Sequence, residues 1–445
     1  MPTASPWRIR DFRTLFAAST LSVLGTNVSY VAMPLLAVLV LDASPGQVGL
    51  LAALSTVAFL AIGLPAGAWV DRMRHRRVLI AADLCRGSLL ASVPVAWWLD
   101  VLTFGQLCAV VLFDGVCTVF FDVTSQSTLP RLVGPASLVP ANAALVSLQA
   151  AGNVTGRGAG GGLVQLLTAP VALACAAAGH LAAGLQLWRL KSADAAPAEQ
   201  AGPRAGLRAQ ISEGLRHVLG DAELRALVLT GTLGNMGSVM VNTMLPVLFV
   251  RELALSEGLL GLYWAIGGIG IFAGARCARV LAARLGFGRG LALANLCAAP
   301  AALIVPLIGG GGLLWLASAA WFCFMFKTGL GNVLGVSLRQ QLTPAGLLGR
   351  MNATFRFMFT GSMALAAGAA GLIGEFASLR AVLWTGGVLM ALSFLPIWLS
   401  PIRRRTRLPE QEQDSVRSPG QGQDFVRSHP GRSARDPSCD VSRLR

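Results

Sequence analysis

The stretch Gly67-Ala-Trp-Val-Asp71-Arg72-Met-Arg74-His-Arg76-Arg77 places five charged residues and a histidine between two long apolar runs. This pattern predicts a short basic loop between two membrane spans, because Lys and Arg accumulate in the short cytoplasmic loops of membrane proteins. A basic loop alone would indicate only which side of the membrane is cytoplasmic. The spacing Gly-x-x-x-Asp-Arg-x-x-x-Arg-Arg carries further information about the fold.

The composition is that of a membrane protein. Of the 445 residues, 54% are hydrophobic and 13% are charged, whereas soluble domains carry about 25% charged residues. The net charge of +15 raises the alternative of nucleic-acid binding, but the basic residues lie in short loops beside apolar runs and in a C-terminal tail. That distribution favours membrane topology over a nucleic-acid partner. The eight cysteines are scattered singly, so we predict neither a metal site nor a disulfide framework.

Twelve apolar runs are long enough to cross a hydrocarbon core of about 30 Å as helices. They lie near residues 15–41, 48–70, 78–99, 104–129, 140–167, 170–190, 224–250, 258–283, 290–308, 312–341, 350–376 and 380–400. Basic residues gather before the first run and after every second one, which predicts that both termini are cytoplasmic. We therefore expect an all-α, multi-pass membrane protein with twelve transmembrane helices. Its Arg-, Ala- and Gly-rich composition is typical of high-GC bacterial genomes and indicates a bacterial plasma membrane.

The loop lengths divide the chain into two parts. We predict six-helix halves at residues 1–191 and 224–402, joined by a cytoplasmic linker at 192–223 with a basic, amphipathic piece at Leu207–Leu219. Residues 403–445 are rich in Pro, Gly, Ser and Arg, and are predicted to form a disordered cytoplasmic tail.

An internal repeat supports two halves built on one plan. At an offset of 212 residues, Gly25, Pro34, Gly46, Gly49, Arg72 and Arg77 match Gly237, Pro246, Gly258, Gly261, Arg284 and Arg289. The second copy departs from the first at Ala283, which stands where the first copy has Asp71. We expect the full loop pattern to operate in the first half alone.

The loop at 67–77 resembles the signature loop of the major facilitator superfamily of secondary transporters. The resemblance implies two pseudo-symmetric six-helix halves with a substrate site near the midplane between them. It also implies a conformational latch, in which Asp71 lies against the N-terminus of the eleventh span, where the helix dipole favours an anion. The residues carried over to this latch are Gly67, Asp71, Arg72, Arg76, Arg77 and Asp122. Among them, Arg77 and Asp122 are expected to be partners.

Further segments resemble the drug-exporter branch that includes macrolide and siderophore (enterobactin) efflux proteins. They are residues 43–51, 78–86, 120–130, 336–340 and 348–357. Two departures weigh against the usual proton-antiport arrangement of that branch. Arg157 replaces a proline in the glycine-rich stretch of the fifth span, and Thr26-Asn27 stands where an acidic residue is common.

Ionisable residues inside the spans are functional candidates, because a charge at the centre of a membrane helix costs about 2.5–3.5 kcal/mol on insertion scales. Lys327, in the middle of the tenth span, is interpreted either as a contact for an anionic substrate group or as an ion-pair partner of Asp114. Asp114 is either a proton carrier or such a partner. Arg157 is either a substrate contact or a buried partner of Asp114 or Asp122.

Other polar residues in the spans have two interpretations each. His180 lies mid-span among alanines, where its titration range suits a proton relay, although a packing histidine is the alternative. A cavity wall of amides, tyrosine and methionines would suit variable amphipathic ligands, although the same residues would serve as packing. The cavity candidates of this kind are Asn27, Tyr30, Asn235 and Asn242. Asp83, Arg86 and Arg356 lie nearer the cytoplasmic ends of their spans, where structural ion pairing is favoured over a role in the cavity.

We predict a secondary active transporter that exports a hydrophobic or amphipathic small molecule, such as a drug, antibiotic or siderophore, in exchange for protons. No Gly-x-x-x-x-Gly-Lys loop occurs in the sequence, so an ion gradient is the expected energy source. One alternative is proton symport for uptake of an anionic metabolite, and another is a non-transporting membrane scaffold or sensor. We predict no enzymatic activity and no cofactor, and we expect a monomer in the lipid bilayer.

Overall fold

The computed structural model describes residues 5–70, 73–190, 207–344 and 347–405. Within these ranges the regular structure is helical, as the composition predicted. The helices are α1 (Arg10–Leu39), α2 (Pro45–Val70), α3 (His75–Trp98), α4 (Phe104–Leu167), α5 (Ala169–Leu187), α6 (Leu207–Gly220), α7 (Ala222–Val247), α8 (Glu257–Leu285), α9 (Phe287–Ile304), α10 (Gly312–Gln341), α11 (Leu348–Phe376), α12 (Leu379–Leu392) and α13 (Leu395–Leu399).

Eleven helices in the described ranges are long and apolar enough to cross a membrane. The predicted span at 140–167 is the second part of α4, which runs without a loop past a break at Gly134. Gly134 has a φ of +66°, a conformation that glycine adopts at little cost. This second part is helical but is not among the eleven, because Asn142, Asn153 and Arg157 reduce its hydropathy.

Several helices begin or end at residues with capping chemistry. The Asp221 side chain accepts hydrogen bonds from the N–H groups of Glu223 and Leu224, and so starts α7 directly after α6. The Thr103 hydroxyl accepts from the N–H of Gln106 at the start of α4. Gly286, with a φ of +82°, separates α8 from α9 without an intervening loop.

The helices contact one another in two groups, which we call the first group (α1 to α5) and the second group (α7 to α13). In the first group α1 and α3 each pack on α4 and α5, and in the second group α10 packs on α8 and α9 while α12 packs on α7 and α9. The groups meet through α2 against α11 and through α4 against α8. The exact domain boundaries at 191, 224 and 402 stay a prediction.

Glycines allow the two groups to approach closely at both contacts. A Cβ added at Gly49 on α2 would overlap the backbone of Gly371 on α11. A Cβ added at Gly161 on α4 would lie 2.7 Å from the Cα of Gly261 on α8. Small residues at helix crossings allow this kind of backbone packing inside membranes. Both crossings lie near the end of the bundle where α1 ends and α2 begins, which we call the distal end.

The predicted amphipathic piece of the linker is the helix α6, and it packs on the first turns of α11. Gly214 lies against Thr354 and the backbone of Arg350, and Glu213 forms an ion pair with Arg350. The linker residues 191–206 and the predicted disordered tail from 406 onward lie outside the described residues. The start of α11 is therefore fixed to α6 at the end opposite the distal end, which we call the proximal end.

Candidate functional site

A cavity of about 330 Å³ lies between the two helix groups. We call it the central cavity. Its walls come mainly from α1, α2, α4 and α7, with Trp264 of α8 and Met363 of α11. Three predicted site residues line it, namely Tyr30, Asp114 and Asn242. Most of the remaining lining residues are apolar, so the cavity combines a large hydrophobic surface with a few polar groups, as small-molecule sites commonly do.

Asp114 has Arg86 as its ion-pair partner. The Nε atom of Arg86 donates to Oδ1 of Asp114 at 3.1 Å, and its Nη2 atom donates to the Thr26 hydroxyl at 2.9 Å. The Asp114 side chain is 25% exposed and that of Arg86 is 3% exposed. The carboxylate therefore faces the cavity, and the guanidinium lies behind it. The alternative pairing of Asp114 with Lys327 is wrong, since Lys327 lies inside the second group, where it donates to the Ser393 hydroxyl.

A second carboxylate lies deeper in the first group, on the far side of Arg86. The Ser22 hydroxyl donates to Oδ1 of Asp83 at 3.0 Å, and Nδ1 of His180 lies 3.2 Å from the same oxygen. Arg86 Nη1 lies 3.9 Å from it. Asp83 and His180 are both fully buried, so His180 has no direct access to the central cavity. Among the described residues, its ring Nδ1 lies near the Asp83 carboxylate and the Ser22 hydroxyl, at 3.2 Å and 3.4 Å.

Arg86 is the residue that the sequence interpretation undervalued. The sequence predicts structural ion pairing for Arg86 and Asp83 near the cytoplasmic end of their span, but both residues lie in the middle part of α3. Arg86 joins Asp83 to Asp114 and thereby connects the buried charges to the cavity wall. The available signal was the i, i+3 spacing of two opposite charges inside an apolar run, which places both on one helix face.

An aromatic contact joins the two groups beside the central cavity. The rings of Tyr30 and Trp264 meet edge to face, with centroids 5.3 Å apart. The Trp264 indole N–H donates to Oδ1 of Asn242 at 2.6 Å. On the other side, the Arg157 guanidinium lies 4.4 Å over the Tyr30 ring, and its Nε donates to Oδ1 of Asn27 at 3.3 Å. Asn27 and Arg157 therefore support Tyr30.

The predicted alternatives in which Arg157 pairs with a carboxylate are wrong. In the described part of the chain Arg157 forms no ion pair with Asp114 or Asp122. Its position on α4 directs it toward α1, where Asn27 and Tyr30 supply an amide oxygen and a ring face in place of a carboxylate. Trp264, which the sequence analysis did not single out, completes this wall.

Lys327 and Asn235 line a different cavity, inside the second group. This second cavity has a volume of about 120 Å³ and lies among α7, α9, α10 and α11. The Lys327 ammonium donates to the Ser393 hydroxyl at 3.1 Å and lies 4.5 Å from the centroid of the Phe324 ring. Placing these two residues with the central cavity was wrong, because they face the interior of their own group.

Two of the predicted latch residues, Asp71 and Arg72, lie outside the described residues. Gly67 belongs to the last turn of α2, and Arg76 donates to the Trp188 carbonyl at 2.6 Å.

The expected contact between Arg77 and Asp122 is not formed in the described residues. Arg77 is exposed at the start of α3, whereas the positive charges that act on Asp122 are those of Arg86 and Arg356.

Three polar contacts hold the two groups together at the distal end. The Gly46 N–H donates to Oε2 of Glu375 at 2.9 Å, and the Gly258 N–H donates to Oε1 of Gln165 at 3.1 Å. Nη2 of Arg251 donates to Oδ1 of Asp42 at 2.5 Å. With the two glycine crossings, these contacts close the distal end above the central cavity.

Comparison with protein families and known proteins agrees with this architecture. The family profile described as Major Facilitator Superfamily matches residues 15–367. Over 284 residues the chain is 28% identical to the multidrug efflux pump Tap of Mycobacterium tuberculosis (strain ATCC 25618 / H37Rv), covering 62% of this chain and 65% of Tap. Over 264 residues it is 25% identical to the uncharacterized MFS-type transporter y4rN of Sinorhizobium fredii, covering 59% of this chain and 64% of y4rN. The chain thus spans less than two thirds of either relative.

Solved structures show the same fold at lower identity. A bacterial homologue of the iron transporter ferroportin, in an inward-facing state, superposes with a TM-score of 0.71 at 16% identity, covering 89% of this chain and 99% of the homologue. The nucleoside transporter NupG superposes with a TM-score of 0.69 at 11% identity, covering 88% and 99% of the two chains. At these identities the likeness concerns the fold alone.

Proposed function

The chain belongs to the Major Facilitator Superfamily of membrane transporters, and on that premise we propose that it exports a hydrophobic or amphipathic small molecule in exchange for protons. A drug, an antibiotic or a siderophore is the class of substrate that we infer. The protein is a multi-pass membrane transporter and not an enzyme. The relative Tap is named a multidrug efflux pump, which agrees with this proposal.

The observation that carries the proposal is the lining of the central cavity. About 330 Å³ of space falls within the range of about 300–1,000 Å³ that is usual for small-molecule sites. The wall is mostly apolar and includes Met33, Met363 and the Trp264 ring. Methionine and aromatic side chains bind apolar ligands of differing shape. Such a wall suits an exporter with broad selectivity better than a site for one polar metabolite.

Asp114 is the proposed proton carrier. Among the described residues that line the central cavity, it has the one carboxylate, and it is partly exposed there while bonded to Arg86. Protonation would neutralise Asp114 and leave Arg86 with Asp83 as its remaining acidic partner. A change in charge at the cavity wall would thus accompany each proton, and proton binding would compete with binding of a cationic or dipolar substrate.

Alternating access requires the distal contacts to break and re-form. The distal end is held by three hydrogen-bonded contacts and two glycine crossings between the groups. Each polar contact at a protein surface is weak. The distal end, held by several such contacts, can therefore open without a large cost in free energy. The proposed cycle moves the substrate from the proximal side to the distal side.

The alternative of anionic-metabolite uptake has less support. It depended on Lys327 and Arg157 facing the substrate. Lys327 lines the second cavity, and the guanidinium of Arg157 is engaged by Tyr30 and Asn27. A carboxylate at the wall of the central cavity also disfavours an anionic ligand, because like charges repel in a medium of low dielectric constant.

A transport assay in inverted membrane vesicles tests the proposal. With an imposed pH gradient, we expect vesicles with the wild-type protein to accumulate neutral and cationic amphipathic dyes and to release protons as they do so. The variant Asp114→Asn should lose proton release coupled to dye. The matched control is Asp100→Asn, because Asp100 is exposed in a turn with a φ of +54°, which asparagine tolerates.

Two outcomes would contradict the proposal. Absence of gradient-driven accumulation for every dye would favour the scaffold or sensor alternative. Unchanged dye-coupled proton release in Asp114→Asn would remove Asp114 from the coupling step.

A further inference from the structure

The second cavity has an unusual balance of charge. Among the described residues that line it are two cations, Lys327 and Arg339, and no carboxylate. Its neutral polar lining includes Thr230 and the side-chain amides of Asn235 and Asn332. A buried surface with two positive charges and several hydrogen-bond donors is complementary to a negatively charged ligand.

Lys327 has little compensation for its charge. Its side chain is 7% exposed, and its described partners are the Ser393 hydroxyl and the face of the Phe324 ring. Removing an ammonium from water is unfavourable unless an opposite charge and hydrogen bonds offset the lost hydration. A hydroxyl and an aromatic face supply part of this compensation, since the face of an aromatic ring attracts a cation. A counter-anion would supply the rest.

Thr230 provides an unused hydroxyl in the lining of the same cavity, on the helix α7 that faces this ammonium. The Lys327 Nζ atom lies 3.4 Å from the Cβ position that a side chain at Gly234 would occupy. Thr230 lies one turn before Gly234 on α7, and residues four apart are neighbours on one helix face. Thr230 is 7% exposed, and its Oγ1 atom is buried without a hydrogen-bond partner among the described residues. A hydroxyl group is a suitable donor to an oxyanion.

Arg339 adds a second cation toward the proximal end. It lies twelve residues after Lys327 on α10, about 18 Å along the helix axis. Its guanidinium lies 4.7 Å from the centroid of the Phe355 ring, and its Nε atom is buried with no hydrogen-bond partner in the described ranges. The two cations thus create a positive potential from the proximal end to the interior of the second group, which attracts anions.

We propose that the second cavity binds a small oxyanion, between the Lys327 ammonium and the Thr230 hydroxyl, with Arg339 on its route of entry. Its volume of about 120 Å³ is near that of the cavity of about 150 Å³ that holds a benzene molecule. It therefore accommodates a simple carboxylate or an inorganic phosphate. The site lies inside the second group and is independent of the export proposed for the central cavity.

Direct binding measurements on the purified full-length protein test the site. The probes are sodium acetate and sodium phosphate, titrated by calorimetry at constant ionic strength, with thermal unfolding followed in parallel. We expect saturable binding of at least one probe and a rise in unfolding temperature with it. The probe that binds distinguishes a carboxylate from a phosphate ligand. Lys327→Gln should weaken the affinity at least tenfold.

A second variant keeps the test informative if Lys327→Gln fails to fold. Gly331 lines the cavity one turn after Lys327, and a Cβ there meets nothing within 4 Å. Gly331→Leu should fill the cavity and abolish binding without removing a charge. Its control is Gly368→Leu, at a helical glycine outside the cavity that also has open space, and this variant should bind like the wild type. The absence of saturable binding in the wild type, or wild-type affinity in Gly331→Leu, would overturn the proposal.

Discussion

Glu375, in the last turn of α11, accepts a hydrogen bond at 2.9 Å from the backbone N–H of Gly46, in the first turn of α2. The first N–H groups of a helix have no partner within the helix, and the helix dipole favours a negative charge near them. A carboxylate of one group thus caps a helix of the other. The latch inferred for Asp71 uses the same interaction at the opposite end, where it stays a prediction.

Replacement of Glu375 should shift the protein toward a state that is open at the distal end. Glu375→Ala removes both the acceptor and the charge, whereas Glu375→Gln keeps an acceptor and should have a smaller effect. The measurement is the distance between spin labels at Val101 and Leu313, exposed residues of the first and second group at the distal end. Equal distance distributions in wild type and Glu375→Ala would show that this contact does not hold the distal end.

The glycine crossing between α2 and α11 should not tolerate a larger residue. A Cβ at Gly49 would overlap the Gly371 backbone, so Gly49→Val must separate the two helices. We expect a destabilisation of about 1–3 kcal/mol, as for other overpacked sites, and a longer Val101 to Leu313 distance. Gly162→Val is the control, because a Cβ at Gly162 meets nothing within 4 Å. An unfolding temperature for Gly49→Val equal to that of the control would count against close packing here.

The buried charges around Arg86 should be strongly interdependent. Arg86→Leu leaves Asp83 and Asp114 without their shared cation, and loss of one partner from a buried ion pair costs about 3–5 kcal/mol. Adding Asp114→Asn should recover part of this loss, but not all, because Asp83 still lacks its cationic partner. A double-mutant cycle on the free energy of unfolding measures the coupling.

The control for this cycle is Arg77→Gln, since Arg77 is exposed on the same helix. We expect it to change the free energy of unfolding by less than about 0.5 kcal/mol. If Arg86→Leu were no more destabilising than this control, the Arg86 network would not contribute to the stability of the first group.

The sequence predicted the helices well, because each span needs a long apolar run whatever it packs against. It predicted the cavity residues less well, for a physical reason. Asn235 and Asn242 lie seven residues apart on α7 and so share a helix face, yet Asn242 lines the central cavity and Asn235 the second cavity. Their separation of about 10 Å along the helix places them at different depths, which periodicity does not distinguish.

Lys327 illustrates a second limit of prediction from the sequence, which concerns the direction of a side chain. In a soluble helix, the contrast between apolar and polar faces shows which face is buried. The residues around Lys327 on α10 are apolar or small on all sides, so the direction of its side chain could not be inferred. The ion pair between Lys327 and Asp114 was predicted only from the free-energy cost of burying a charge without a partner. The contacts that form instead, between Asp114 and Arg86 and between Lys327 and Ser393, depend on tertiary packing.

The helix α11 is attached at both of its ends, and this has a mechanical consequence. Its first turn holds Arg350, which is bound to Glu213 of α6, and its last turn holds Glu375, which is bound to Gly46 of α2. A straight helix of 29 residues is about 43 Å long. A tilt of about 10° around its midpoint would move the two ends by about 4 Å in opposite directions. The helix can therefore act as a lever, which loosens one attachment as it tightens the other.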